Sequence, residues 1–253
     1  MEKVLEVKNL TKLYKNGRGV KDINFDVYKG DVFGFLGPNG AGKTTVMKSI
    51  IGLNIFERGE VKILGFDIKN QFEKALEKVG AIIETADAYE YMSAYKNLKI
   101  VSRFYSSIKE SDIDEMLEIV DLKEFKNEKV SKFSLGMKQR LALASALLSN
   151  PKLVILDEPT NGLDIEGTVQ MRNLIIQLAK EKQITFFISS HLVHEIELMC
   201  SKVAIIHKGI LINRGEEIKN IKEKYASLED FYMNEINKRR RESNEYLKSK
   251  YYK

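Results

Sequence analysis

The chain has 253 residues, 43% of them apolar, and a formal net charge of +5. That length and apolar fraction exclude global disorder and suit one large α/β domain or a core with a smaller subdomain. A single cysteine, Cys200, excludes an internal disulfide and fits a reducing compartment, and no apolar run approaches the ~20 residues of a membrane-spanning helix.

Met1 leads directly into a charged alternating segment, with no secretory pattern. "VLEVKNL" and "INFDV" alternate apolar and polar residues as half-buried strands do, and "KNGRG" between them is turn chemistry. "VFGFL" reads as a buried strand running into a glycine-rich loop. A helix from about 42 to 51 should follow, stopped by Gly52. "EVKILGFDI" reads as a further strand pair or hairpin. At residues 79–83 Val79, Ala81, Ile82 and Ile83 read as a short buried strand, and Glu84 ends it. A carboxylate at the tip of a buried strand needs a partner, because burying an unpaired charge is costly.

From 86 to 150 the pattern turns helical and reads as an insertion between two stretches of one α/β core. Ser93 can cap a helix with apolar positions at Tyr95, Leu98, Val101, Phe104 and Tyr105. Ser111 with Asp114 resembles a capping box ahead of Ile113, Met116, Leu117 and Val120. A third helix is expected over about 135–148, stopping before Pro151. Strands then return at 153–156, 184–189 and 203–207 with helices between them, which implies a largely parallel sheet covered on both faces. Residues 237–253 hold seven basic residues and two acids, so residues 1–236 are formally neutral. The positive charge therefore describes a tail and not a nucleic-acid-binding face. The tail reads either as a solvated helix or as a contact for anionic lipid or a partner.

"GPNGAGKT", residues 37–44, matches G-x-x-x-x-G-K-[ST] between a strand and a helix. Gly37, Pro38, Asn39, Gly40, Ala41 and Gly42 shape such a loop, and backbone N–H groups from Asn39 to Thr45 can wrap phosphates at a helix N-terminus. Lys43 can reach the β- and γ-phosphates, and the Thr44 hydroxyl can ligate Mg²⁺. "LVILDEP" places Asp157 and Glu158 at the carboxyl end of an apolar strand, where ligands of parallel sheets collect. Asp157 would hold the metal, and Glu158 would orient or deprotonate the attacking water. "HLVHE" at 191–195 is not the H-E-x-x-H arrangement, and with no His or Cys cluster nearby it does not read as a metal site.

Three further stretches, "KFSLGMKQR", "NGLD" and "ITFFISSH", separate the possible P-loop classes. With the phosphate loop they resemble the ATP-binding subunit of ABC transporters over roughly residues 1–232. "GAIIE", "FSLGMKQR" and "DEPTNGLD" look most like the bacitracin and lantibiotic export and immunity branch.

The resemblance implies a P-loop NTPase (RecA-like) α/β fold: a mostly parallel sheet, an N-terminal antiparallel β part and an inserted helical subdomain. It divides the chain into a nucleotide-binding core (1–85 and 151–215), a helical signature subdomain (86–150) and a C-terminal helical basic tail (216–253). It implies Tyr14 stacked on adenine, where simple packing of the ring is the alternative. It implies Ser134 and Gly136 completing the site of an opposite subunit, Asp164 coupling the two sites, and His191 hydrogen-bonding the γ-phosphate. Catalysis falls to Glu158, His191 and Glu84, metal contact to Thr44, Glu84 and Asp157, with ATP and Mg²⁺ as cofactors. The expected partners are a second ATPase subunit and separate transmembrane permease subunits, at the cytoplasmic face of the membrane and without nucleic acid. The expected function is an Mg²⁺-dependent ATPase powering peptide efflux or immunity; the alternative is a soluble ABC ATPase acting on ribosomes or DNA.

Two departures from the family pattern stand out, one in the signature and one at residue 84. The signature consensus L-S-G-G-Q reads Phe133, Ser134, Leu135, Gly136, Met137, and Glu84 stands where most of the family has Gln. A further negative charge near Asp157, Glu158 and the phosphates would repel each by about 4 kcal/mol at 4 Å and an effective dielectric near 20. Glu84 is therefore expected to touch Mg²⁺, swing away, or take up a proton.

Overall fold

The computed structural model describes residues 1–85 and 87–251, with the backbone alone for residue 240 and for 242–251. The chain opens with β1 (Lys3–Leu13) and β2 (Gly19–Tyr28), then β3 (Val32–Leu36), the glycine-rich loop and α1 (Lys43–Ile50). β4 (Arg58–Ile63), β5 (Phe66–Asp67), α2 (Phe72–Leu76) and β6 (Val79–Ile82) follow. Three helices come next: α3 (Ala94–Ser102), α4 (Glu110–Ile119) and α5 (Leu135–Leu147). The chain returns through β7 (Leu153–Asp157), α6 (Ile165–Glu181), β8 (Thr185–Ser190), α7 (Val193–Met199) and β9 (Lys202–His207). It ends with β10 (Ile210–Leu211), β11 (Glu216–Glu217), α8 (Ile218–Lys224) and α9 (Leu228–Tyr251).

One sheet is antiparallel, in the order β2-β1-β4-β5. The other runs β10-β9-β3-β8-β7-β6, and β9, β3, β8, β7 and β6 are mutually parallel. β3 and β8 are buried along their whole length, which explains their uninterrupted apolar runs. β2 buries Val20, Ile23, Phe25 and Val27 and turns the intervening residues outward, as a one-sided strand does. The two sheets meet at Phe25, Phe33, Phe35 and Phe187, with ring centroids 5.3–5.8 Å apart. Such pairs add about 0.5–1.5 kcal/mol each beyond the area they bury.

The opposite face of the parallel sheet uses the alternate residues Val154, Leu156, Phe186 and Ile188. They pack with Leu98, Ile113, Leu117, Leu141 and Ile175, so the helical block shares one apolar core with that face. α8 and the start of α9 also join the body, with Ile218, Ile221, Leu228 and Phe231 packed on Leu36, Val203 and Ile205. The 216–253 segment is thus anchored at its beginning. The basic side chains expected at Arg240, Lys248, Lys250 and Lys253 lie outside the described residues.

Several local expectations need correction. α4 is not capped by Ser111: it starts at Glu110 behind Lys109, whose N–H donates to the Asp112 carboxylate at 2.8 Å. α3 ends at Ser102, so Phe104 (80% exposed) and Tyr105 lie beyond it. β6 is not a buried strand. It is an edge strand paired, among the described residues, only with β7, its Ala81 is exposed, and Ile83 lies past its end. No helix among the described residues is long and apolar enough to cross a membrane.

Candidate functional site

β3 delivers the chain into the loop at Gly37, whose N–H donates to Ser190 O at 3.1 Å on neighbouring β8. A Cβ on Gly37 would stand 2.4 Å from Ile206 O, and one on Gly42 would stand 2.5 Å from Val20 Cγ1. Gly42 also has φ +109, so both positions demand glycine. Gly40 has φ +76 with open space beside it, which leaves the backbone approachable. Thr44 and Thr45 lie in the first turn of α1. Ala41 N–H donates to Pro38 O at 3.1 Å, and Gly209 N–H donates to Ala41 O at 2.9 Å. The Lys43 side chain, only 5% exposed, folds back into this loop and donates to Gly37 O at 2.8 Å and Pro38 O at 3.3 Å.

The acids arrive from β7. Asp157 Oδ2 accepts from the Thr44 hydroxyl at 2.8 Å, and Oδ1 accepts from the Ser189 hydroxyl. Glu158 has φ +50, a left-handed conformation that costs a non-glycine residue of order 1 kcal/mol. Its N–H donates to Ser189 Oγ at 3.0 Å. Its two carboxylate oxygens are divided: Oε1 is 3.0 Å from Lys43 Nζ, and Oε2 is 2.7 Å from His191 Nδ1. With Glu158 ionised, Nδ1 must carry the hydrogen, which leaves Nε2 of a neutral ring as an acceptor.

Lys43, Thr44, Asp157, Glu158 and His191 are therefore brought together in one cluster. Two others stand apart from them. Glu84 has φ +71, and its largely exposed carboxylate meets Lys48 Nζ at 2.6 Å instead of the Thr44–Asp157 pair. Tyr14 lies in the turn after β1, 41% exposed, and its hydroxyl accepts from Asn54 Nδ2 at 3.2 Å. His194 takes no part, and Glu195 pairs with Arg172 at 3.3 Å.

Ser134 and Asp164 are helix caps. Ser134 Oγ accepts from Met137 N–H at 3.2 Å at the start of α5, and Asp164 Oδ1 accepts from Gly167 N–H at 2.8 Å at the start of α6. With Gly136 they line a surface cavity that includes no phosphate-loop residue. Leu135, in place of the family's glycine, lies over Gly162.

Ser189, Lys48 and Asn54 escape a reading of motifs. Ser189 was detectable, because parallel pairing of β7 and β8 sets it opposite Asp157.

The residues present fit a nucleotide and a hard cation. Lys43 supplies a buried ammonium surrounded by oxygens. Thr44 and Asp157 supply two adjacent oxygen donors of the kind Mg²⁺ takes beside substrate phosphates. A parallel sheet, a glycine-rich loop entering a helix, and acids at the end of β7 define a P-loop NTPase.

Residues 20–161 match the family described as ABC transporter. The bacitracin transport ATP-binding protein BcrA of Bacillus licheniformis is 43% identical over 94% of this chain and 78% of its own length. The lantibiotic transport ATP-binding protein SrtF of Streptococcus pyogenes is 38% identical over 92% of this chain and 97% of its own. A solved ATP-binding subunit of an ABC transporter superposes with TM-score 0.78 and 27% identity, covering 92% of this chain and 99% of that one. The chain belongs to the ABC transporter ATP-binding proteins and is an ATPase of that class, similar to the bacitracin and lantibiotic transport members.

Proposed function

We propose that two copies of this chain sandwich two ATP molecules head to tail and power a separate membrane permease for antimicrobial-peptide export or immunity. The observation that carries the dimer is the separation within one copy. Lys43, Thr44, Asp157, Glu158 and His191 form one cluster, while Ser134, Gly136 and Asp164 line a different surface. A second copy would bring the α5 N-terminus, with its Ser134 cap, to the phosphates of the first. The peptide reading is supported by the similarity to the bacitracin and lantibiotic transport proteins.

In this reading Lys43 neutralises phosphate charge, and Glu158, held between Lys43 and His191, orients the attacking water and takes its proton. His191 can donate to the γ-phosphate only if it gains a proton or gives up its bond to Glu158. Tyr14 offers a ring face to adenine, and Asp164 links the two sites. Mg²⁺, held by Thr44 and Asp157, would supply electrostatic stabilisation of the transferring phosphoryl group, and Glu84 would sense it. The division into core (1–85, 151–215), helical subdomain (86–150) and C-terminal segment (216–253) follows the same reading. The permease would hold the protein at the cytoplasmic face of the membrane.

Glu158→Gln tests the proposal. It should form a dimer on size exclusion only with ATP and Mg²⁺, with hydrolysis reduced by roughly 10²–10⁴-fold. A variant that stays monomeric under saturating nucleotide and hydrolyses it normally would remove both the dimer and the role of Glu158.

A further inference from the structure

Glu84 follows β6 by two residues, and β6 pairs in parallel with β7 through Ile82 and Leu156. It thus leaves the sheet at the same edge as Asp157. There its carboxylate meets Lys48 at 2.6 Å, and among the described residues no other acid forms an ion pair with Lys48. Lys48 lies on α1, four residues after Thr44, so the two share a helix face about 5–6 Å apart at Cβ. Thr44 is in turn bonded to Asp157. Lys48 and Thr44, which is bonded to Asp157, therefore stand one helical turn apart on one face of α1.

We propose that Lys48 is a positioning residue that holds Glu84 away from the Thr44–Asp157 position until a divalent cation competes for its carboxylate. The inference rests on the reading of Glu84 as a metal-sensing residue. A third carboxylate beside Asp157 and Glu158 is repelled while no cation bridges them. The ammonium of Lys48 gives it a place to rest. The Glu84 carboxylate is 58% exposed, so the pair is weak and exchangeable, a holding contact and not a lock. A glutamine at position 84 would need no such counter-ion, which ties the lysine to this chain's departure from the family pattern.

The experiment measures binding of a fluorescent non-hydrolysable ATP analogue across Mg²⁺ concentrations, for the wild type, Lys48→Met, Lys48→Arg, Glu84→Gln and the Lys48→Met/Glu84→Gln pair. Lys48→Met should lower the half-saturating Mg²⁺ concentration by about two- to fivefold, the range set by an exposed ion pair. Lys48→Arg should restore the wild-type value, Glu84→Gln should raise it, and Lys48→Met should add nothing on top of Glu84→Gln. An equal shift from Lys48→Met with and without Glu84 overturns the proposal, because the lysine then acts on the nucleotide alone. So does no shift from Lys48→Met while Glu84→Gln moves the curve. If Glu84→Gln leaves the Mg²⁺ dependence unchanged, the metal-sensing role itself fails and the proposal falls with it.

Discussion

Ser189 is fully buried at the end of β8, and its one hydroxyl serves both site acids. It donates to Asp157 Oδ1 and accepts from Glu158 N–H, so it fixes the Asp157 carboxylate and the left-handed turn at Glu158. Removing the hydroxyl leaves the Asp157 oxygen short of its donor, at about 1–3 kcal/mol, while the Glu158 N–H keeps Ser189 O at 3.2 Å. In the proposed site the nucleotide would be held mainly by the loop and Lys43, with which Ser189 forms no hydrogen bond among the described residues. Ser189→Ala should therefore lower kcat by roughly tenfold or more while changing the KM for ATP much less. Steady-state kinetics beside a thermal melt checks this. A rise in KM alone would mean that Ser189 supports binding and not the alignment of the acids.

At the scale of elements, α5 begins where its cap dictates, and Gly136 in its first turn has no steric need to be glycine inside this chain. A Cβ there would meet Gly167 Cα and Ser134 Oγ at 3.9 Å and Leu163 Cδ2 at 4.0 Å, all ordinary contacts. Alanine favours helix over glycine by up to about 1 kcal/mol. Gly136→Ala should keep or slightly raise Tm. If the α5 N-terminus approaches a nucleotide on another copy, the same change should weaken ATP-dependent dimerisation of a Glu158→Gln protein and cut kcat/KM by roughly tenfold or more. Intact dimerisation and kinetics would show that the space beside Gly136 is not used across subunits.

This contrast also explains what the sequence could and could not reveal. Buried parallel strands announce themselves, since "VFGFL" and "LVIL" have water on neither face. A cap whose partner lies three residues on is local, and Ser93 was readable as one; Ser134 and Asp164 cap their helices in the same way. α4 misled because Asp112 reaches back to the backbone of Lys109, a residue with no capping signature of its own. The apolar stripe of α3 continues in sequence through Phe104 and Tyr105, but the helix stops at Ser102 and the ring of Phe104 projects into solvent. Glu84 could be singled out as an oddly placed acid. Its partner could not be named, because Lys48 is 36 residues away and meets it only when α1 and β6 pack on the same sheet.

For the molecule as a whole, the phenylalanine cluster clamps the antiparallel sheet to one face of the parallel sheet, and the helical block closes the other. Tyr14 comes from the first layer, the phosphate loop and acids from the sheet edge, and Ser134 and Gly136 from the last. If these surfaces are complementary half-sites, as proposed, pairing with a copy related by a two-fold axis would complete both at once. That geometry makes a mixing experiment decisive. A copy with Lys43→Ala keeps its signature surface. A copy with Gly136→Asp keeps its phosphate loop but sets a carboxylate where the partner's phosphate would lie, although an acid in the first turn of α5 suits the helix itself. Each variant alone should be inactive, since every site in its homodimer carries a defect. In an equal mixture half of the dimers are mixed, and each mixed dimer has one intact site. The mixture should then recover up to about a quarter of wild-type activity if the sites act independently. Recovery should depend on total protein concentration and on the ratio of the two variants. A mixture as inactive as its parts would argue against sites built from two copies. Full activity of either variant alone would show that one copy is sufficient.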